Sequence, residues 1–250
     1  MSSSDATAYR GTCARPNYLS QDRPDIRFAA KEASRSMAKP REGDWILLKR
    51  IGRYLNGVPR LRQRFEWQVP VTGLSTFVDS DWAGCKKSCK STSGGVVMAG
   101  KHSIAVWSST QAVIALSSGE AELYAMIKGS IHTLGMMSLA ADFGETLSGR
   151  VLGDSSAALG IINRTGVGKL RHIKVQYLWL QSKVREGALQ VRKVLGTENG
   201  ADLMIKHVPE TVMDGHLRRL YFEKLSDRPI TAPSLAAVTA KAADVIRGTC

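Results

Sequence analysis

Four acidic residues fall where a folded chain could bring them together: Asp79, Glu122, Asp154 and Asp202. Asp79 closes an apolar, β-prone run from Leu74 to Val78, and Asp154 follows the short apolar pair Val151-Leu152. Glu122 lies in the first turn of a long helical pattern, and Asp202 in the first turn of a helix that Asn199 can cap. Strand ends and helix starts converge at one rim of a sheet, so acids placed there can meet despite their mutual repulsion. Four gathered carboxylates suit a pair of Mg²⁺ ions, which take hard oxygen ligands, and Mn²⁺ can substitute. Such a pair, roughly 4 Å apart, hydrolyses a phosphodiester by making the attacking water more acidic and stabilising the leaving oxygen. Each acid also has a plain structural reading. Asp79 or its neighbour Asp81 can be a turn acid, Asp154 a turn or cap residue, and Glu122 and Asp202 first-turn acids favoured by the helix dipole. Only the joint placement argues for metal. Ser117-Ser118-Gly119-Glu120 fits a capping box, which gives Glu120 a structural task and leaves Glu122 as the ligand.

The elements that must position these acids can be read in order. Asp22 and Pro24 start a helix that ends near Met37, before Pro40. Asp44 starts a second, with Trp45, Leu48, Ile51 and Leu55 near a helical period and Asn56-Gly57 as its end. After Pro70 come three strands in series, around Leu74–Val78, Val96–Met98 and Ile104–Trp107, with a turn at Gly100-Lys101. A long helix follows from Ser117, then a strand ending at Asp154 and a helix containing Leu159, Ile161 and Ile162. A helix from about Lys174 to Arg185, a strand from Leu189 to Val194 and a last helix from Gly200 to about His207 complete the order β-β-β-α-β-α-α-β-α. This is an α/β pattern: a mixed five-stranded sheet, three antiparallel strands then parallel ones, flanked by helices and preceded by a helical pair. The expected divisions are residues 1–20, disordered or a fragment edge; 21–70, a helical connection; 71–210, the mixed-sheet domain; and 211–250, a tail.

The 250 residues carry 35 Lys and Arg against 22 Asp and Glu, for a net charge of +13. The excess is spread along the chain, and residues 1–70 alone hold 14 basic against 7 acidic side chains. A polyanionic partner, nucleic acid first, fits this balance, although basic composition also serves solubility. No apolar run reaches the length of a membrane span, and the first residues lack the basic and apolar regions of a secretory signal. Four cysteines are too few for a disulfide framework, and Cys85 and Cys89 lack a second ligand pair for zinc. Reduced thiols in an intracellular protein, in cytoplasm or nucleus, are the expectation.

Several segments together resemble one family. They are Phe77-Val-Asp-Ser-Asp-Trp-Ala-Gly, Lys90-Ser-Thr-Ser-Gly-Gly, Val106-Trp-Ser-Ser-Thr-Gln, Ala115-Leu-Ser-Ser-Gly-Glu-Ala-Glu-Leu-Tyr-Ala, Gly153-Asp-Ser-Ser-Ala-Ala, Arg171-His-Ile-Lys-Val and Asn199-Gly-Ala-Asp-Leu-Met-Ile-Lys. In this order they resemble the RNase H region of copia-type LTR-retrotransposon Pol polyproteins. Residues 18–57, with Arg23-Pro-Asp-Ile and Leu48-Lys-Arg-Ile-Gly-Arg-Tyr-Leu-Asn-Gly, resemble the stretch that joins the reverse transcriptase to its RNase H. The resemblance implies an RNase H-like fold, divalent-metal dependence, and cutting of the RNA strand of an RNA–DNA hybrid during reverse transcription. It implies the polymerase domain of the same polyprotein as a partner. Its acidic positions fall on the same Asp79, Glu122, Asp154 and Asp202.

The chain departs from the family pattern in three ways. The polymerase's own paired aspartates are missing. The segment from Leu195 to Gly200 is short and holds no histidine, where many RNases H place a mobile one. Gly95 stands where relatives often carry an aromatic, which would loosen the core there. For substrate contacts, Lys90, Ser91, Thr92 and Ser93 can reach phosphates or form an ordinary polar hairpin. Lys169, Arg171 and Lys174 form a second basic cluster, with a solvated helix start as its other reading. His172 beside them is structural, phosphate-contacting or a proton carrier. Trp82 and Trp107 read as core before base-stacking. A second reading of the whole chain stays open: a retroelement remnant that binds nucleic acid without catalysis.

Overall fold

The computed structural model describes residues 1–166, 168, 172, 173 and 175–227. The helical pair is present as α2 (Pro24–Ser34) and α3 (Trp45–Gly57), but a further helix, α1 (Ser3–Leu19), precedes it. Residues 1–20 are therefore not the irregular segment expected from the sequence. Ser2 caps α1 by accepting from the Asp5 N–H, and its buried seam is only Tyr9 and Cys13, one turn apart. These two pack with Ala33, Leu48 and Ile51 as a small core of their own. Two buried positions in 17 residues leave no periodic pattern to detect.

The sheet follows the expected scheme. Its strands are β2 (Gly73–Asp81), β3 (Thr92–Ala99), β4 (His102–Thr110), β5 (Ser148–Gly153) and β6 (Gln190–Lys193), in the spatial order β4-β3-β2-β5-β6. Pairing is antiparallel from β4 through β3 to β2, and parallel from β2 to β5 to β6. This is the mixed five-stranded α/β sheet expected from the sequence. The central strand β2 ends on Asp79-Ser80-Asp81, with Asp79 opposite Gly94 of β3.

One face of the sheet is covered by α4 (Ser118–Asp142), α5 (Ser156–Ile162) and α6 (Trp179–Arg185). Val78, Val97, Val151, Leu123, Met126, Ile162 and Leu180 form the core on that side. A 3-10 turn, Val175–Leu178, leads into α6 in place of the first part of the expected helix. The other face is covered by a 3-10 segment, Gly200–Met204, and by α7 (Glu210–Arg219). Here Val96 and Met98 meet Leu203, Met204, Leu217, Leu220 and Phe222. Strand β3 alternates between the two cores and is buried on both, as a central strand should be.

The chain beyond residue 210, expected to be a tail, thus forms part of the core as far as it is described. After α7 it forms β7 (Phe222–Leu225), which pairs antiparallel with β1 (Arg60–Gln63). A switch from helix to strand within a few residues breaks both periodicities, which hides these elements in the sequence. Residues 228–250, with the Ala-rich stretch, lie outside the described residues.

Buried polar contacts tie the helices to the sheet. Arg23 and Asp25 form an ion pair at 2.6 Å with both side chains more than nine-tenths buried, and Arg23 also donates to the Val58 carbonyl. The Tyr54 hydroxyl donates to Asp25 at 2.8 Å and touches the Met213 sulfur of α7 at 3.5 Å. Lys31 of α2 donates to Thr92 of β3, and Phe28 stacks edge-on against His207. Among the described residues no helix is long and apolar enough to cross a membrane.

Candidate metal centre

Three of the four acids meet at the end of β2. Asp79, Glu122 and Asp154 each offer a carboxylate oxygen, and these atoms lie within 4.8 Å of one another. The first two are buried and Asp154 is half-buried at the end of β5. Glu122 projects from the first turns of α4, whose start is fixed by Ser117 accepting from the Glu120 N–H. The Glu120 carboxylate accepts from the Leu116 N–H, the Tyr124 hydroxyl and His172. Glu120 is thus a structural residue, although its return bond goes to Leu116 and not to the cap residue itself. Ser80 positions Glu122: its hydroxyl donates at 2.9 Å and its N–H at 3.2 Å to the same oxygen, Oε1.

Asp202 lines the same cavity, of about 700 Å³, but is not gathered with the other three. It pairs with Lys206, and His216 Nε2 stands 3.6 Å from its Oδ2. The segment that carries it is anchored by Asn199, which donates to the Val78 carbonyl and accepts from the Ala201 N–H. It lies close over β3 because Gly94 has no side chain. A Cβ at Gly94 would come within 2.5 Å of Met204 Cβ and 3.0 Å of the Met204 backbone.

The electrostatics separate the acids into two kinds. Burial, and then the charges of Glu122, Asp154 and Asp202, push Asp79 up to about 9. Burial and the Asp154 charge push Glu122 up to about 7, against the hydrogen bonds from Ser80. At Asp202 burial works upward too, but His216 and Lys206 outweigh it and hold the carboxyl below its ordinary value. The second oxygen of Glu122, Oε2, is buried without any hydrogen-bond partner. A buried, unpartnered carboxylate oxygen is costly, and a cluster of such acids is satisfied by a divalent cation. The donor set, all carboxylate oxygen, suits a hard divalent cation.

No protein-family model matches the chain. Two curated relatives are the retrovirus-related Pol polyproteins from transposons RE2 and RE1 of Arabidopsis thaliana, 30% and 31% identical over 219 residues, which is 86% of this chain. The chain belongs to the copia-type retrovirus-related Pol polyproteins. It spans about 15% of the length of these relatives. Among solved structures, RNase H1 from the archaeon Halobacterium salinarum is similar over 53% of this chain and 93% of its own, with a TM-score of 0.37 and 18% identity.

The substrate-contact expectations fare unevenly. Ser91, Thr92 and Ser93 are buried and their hydroxyls are used internally, which corrects their reading as phosphate contacts. Ser91 accepts from the Ala83 N–H, Thr92 from Lys31, and Ser93 from Gln111. Lys90 remains partly exposed at the mouth of the hairpin. Lys169, Arg171 and Lys174 lie outside the described residues. His172 is held at 2.9 Å by Glu120, not by the carboxylate cluster. Trp107 is buried and stacks on His132, whereas Trp82 is half exposed and donates to the Ala115 carbonyl. Gly95 does not loosen the core, because the Trp107 ring occupies the space over it. Sequence reasoning missed Lys206, His216 and Arg219, which line the cavity from the side opposite β2. His216 and Arg219 sit three residues apart on α7, a spacing that is visible only once a helix is recognised there.

Proposed function

We propose that the chain is an RNase H-type nuclease that hydrolyses the RNA strand of RNA–DNA hybrids, with two divalent ions held by Asp79, Glu122, Asp154 and Asp202. The observation that carries this reading is the buried trio at the end of β2, with its unpartnered Glu122 oxygen, in a Pol-family chain. When bound, the ions acidify the attacking water and stabilise charge on the leaving oxygen. Asp79, Glu122 and Asp154, with Asp202 in the same cavity, would hold them, and Ser80 fixes one Glu122 oxygen by two hydrogen bonds. Lys206 and Arg219 give the cavity a cationic wall suited to the phosphate backbone. Recognition of the hybrid rests on groove shape and 2′-hydroxyl contacts, with Lys90, Arg171 and Lys174 as further backbone contacts. The reverse transcriptase of the same polyprotein is the proposed partner that delivers the hybrid.

Asp202, paired with Lys206 and apart from the trio, favours the alternative of a nucleic-acid-binding remnant without catalysis. One assay separates the two. A labelled RNA–DNA hybrid is incubated with the chain in Mg²⁺, Mn²⁺ or chelator. The nuclease reading expects metal-dependent cleavage of RNA alone, abolished in Asp79→Asn while that variant still binds hybrid. Hybrid binding by folded protein with no cleavage in either metal establishes the remnant.

A further inference from the structure

His216 is the buried member of the cavity wall formed by α7. Its side chain is 5% exposed, and its Nδ1 is buried with no partner. Its Nε2 lies 3.6 Å from Asp202 Oδ2, longer than a hydrogen bond but closed by a small rotation of the carboxylate. Among the described residues the imidazole has one polar partner, and that partner is a candidate metal ligand. The other partner of Asp202, Lys206, is half exposed on a flexible side chain and fixes no direction. Asp202 itself rides on a five-residue 3-10 segment, whereas Asp79 and Asp154 end strands and Glu122 is held by Ser80. Asp202 is the ligand most in need of an external support.

We propose that His216 is a positioning residue that orients the Asp202 carboxylate from α7, and so completes the site for the second divalent ion. The proposal rests on reading the four acids as a metal centre. Ligating carboxylates are themselves held by hydrogen bonds from outside the ligand set, and losing such a partner weakens metal binding about 10–100-fold. The support here is rigid. Its helix is gripped by the Tyr54 contact to Met213, and the chain that follows it is locked by the pairing of β7 with β1. This arrangement differs from the loop-borne histidine of other RNases H, for which the short link from Leu195 to Gly200 has no counterpart.

The test is Mn²⁺ binding to the full chain, without substrate, by isothermal titration calorimetry. His216→Leu keeps the volume but removes the donor, and should weaken Mn²⁺ binding about tenfold or more. His216→Gln places an amide N–H near the Nε2 position and should recover most of the loss. In an Asp202→Asn background, His216→Leu should change Mn²⁺ affinity no further, because the histidine acts through that carboxylate. Wild-type Mn²⁺ affinity in a folded His216→Leu protein overturns the proposal and leaves the metal centre standing. Equal losses in the Leu and Gln variants, or a further loss in the Asp202→Asn background, also overturn it by assigning His216 a packing role. Absence of Mn²⁺ binding by the wild-type chain removes the metal centre and this proposal together. If His216→Leu fails to fold, His216→Asn, whose amide is too short to reach Asp202, is read in its place by the same criteria.

Discussion

At the scale of single residues, the candidate site is a store of unfavourable charge. Asp79 and Glu122 have folded-state values, about 9 and about 7, well above those of an unfolded chain near 4. A raised carboxyl value means that the folded state binds the proton more tightly than the unfolded state does. Its contribution to stability is whole below about pH 4 and is lost as pH rises through the folded value. The metal-free chain should therefore melt at a lower temperature at pH 9 than at pH 6, in thermal scans with chelator. Divalent metal should restore the loss, and Asp79→Asn should flatten the dependence. That variant should also gain about 1–2 kcal/mol in metal-free stability at neutral pH, as when a functional strain is removed. A melting temperature lower at pH 6 than at pH 9 would contradict the crowding of these acids. The gathering of Asp79, Glu122 and Asp154 was legible in the sequence, because each stands at an element end. Asp202 pairing with Lys206 was not legible as more than an i, i+4 spacing, and Ser80 gave no signal apart from its place beside Asp79.

At the scale of elements, the site depends on how closely the Asp202 segment lies on β3. Gly94 permits that approach, so Gly94→Ala should cost about 1–3 kcal/mol by overpacking and should weaken Mn²⁺ binding as the segment is displaced. Gly135 of α4 faces open space, and a Cβ added there would meet nothing within 4 Å. Gly135→Ala should therefore stabilise by up to about 1 kcal/mol through helix propensity. Urea denaturation of both variants checks the contrast. A harmless Gly94→Ala would show that the approach is looser than described. The central sheet and α4 were readable because long apolar runs and a capping sequence announce them. The last segment before α7 was expected to be an α-helix, but it is a 3-10 turn of five residues. Asn199 caps it as expected, since capping chemistry is local. Helix α7 and its strand escaped because their burial comes from distant partners, Val96 and Met98, which no local pattern records.

At the scale of the molecule, several contacts cross the division at Pro70 that the sequence suggests. Arg23, Asp25 and Tyr54 join α2 and α3 and reach α7 at Met213. Asp25→Ala would leave the Arg23 guanidinium buried without its counter-charge, which costs about 3–5 kcal/mol. A single cooperative unfolding transition, shifted by that amount, is expected in denaturant. Two transitions, with only the first shifted, would restore the boundary at Pro70. The net charge of +13 is spread over the whole 250-residue chain, on both sides of Pro70.

The ribbon of β1 and β7 joins residues 60–63 to residues 222–225, and it holds one wall of the carboxylate cavity in place from outside. Fraying of that ribbon would let α7 swing away and carry His216 from Asp202. Loading the acids with metal should suppress the same fraying, because a ligand that binds only the closed form stabilises it. Amide hydrogens of residues 212–225 should then exchange more slowly with Mn²⁺ present than with chelator, far along the chain from Asp79. Unchanged exchange there, with metal bound, would show the wall to be independent of the site. A segment that looks like an appendage would on this account report, through its protons, whether the ions are home.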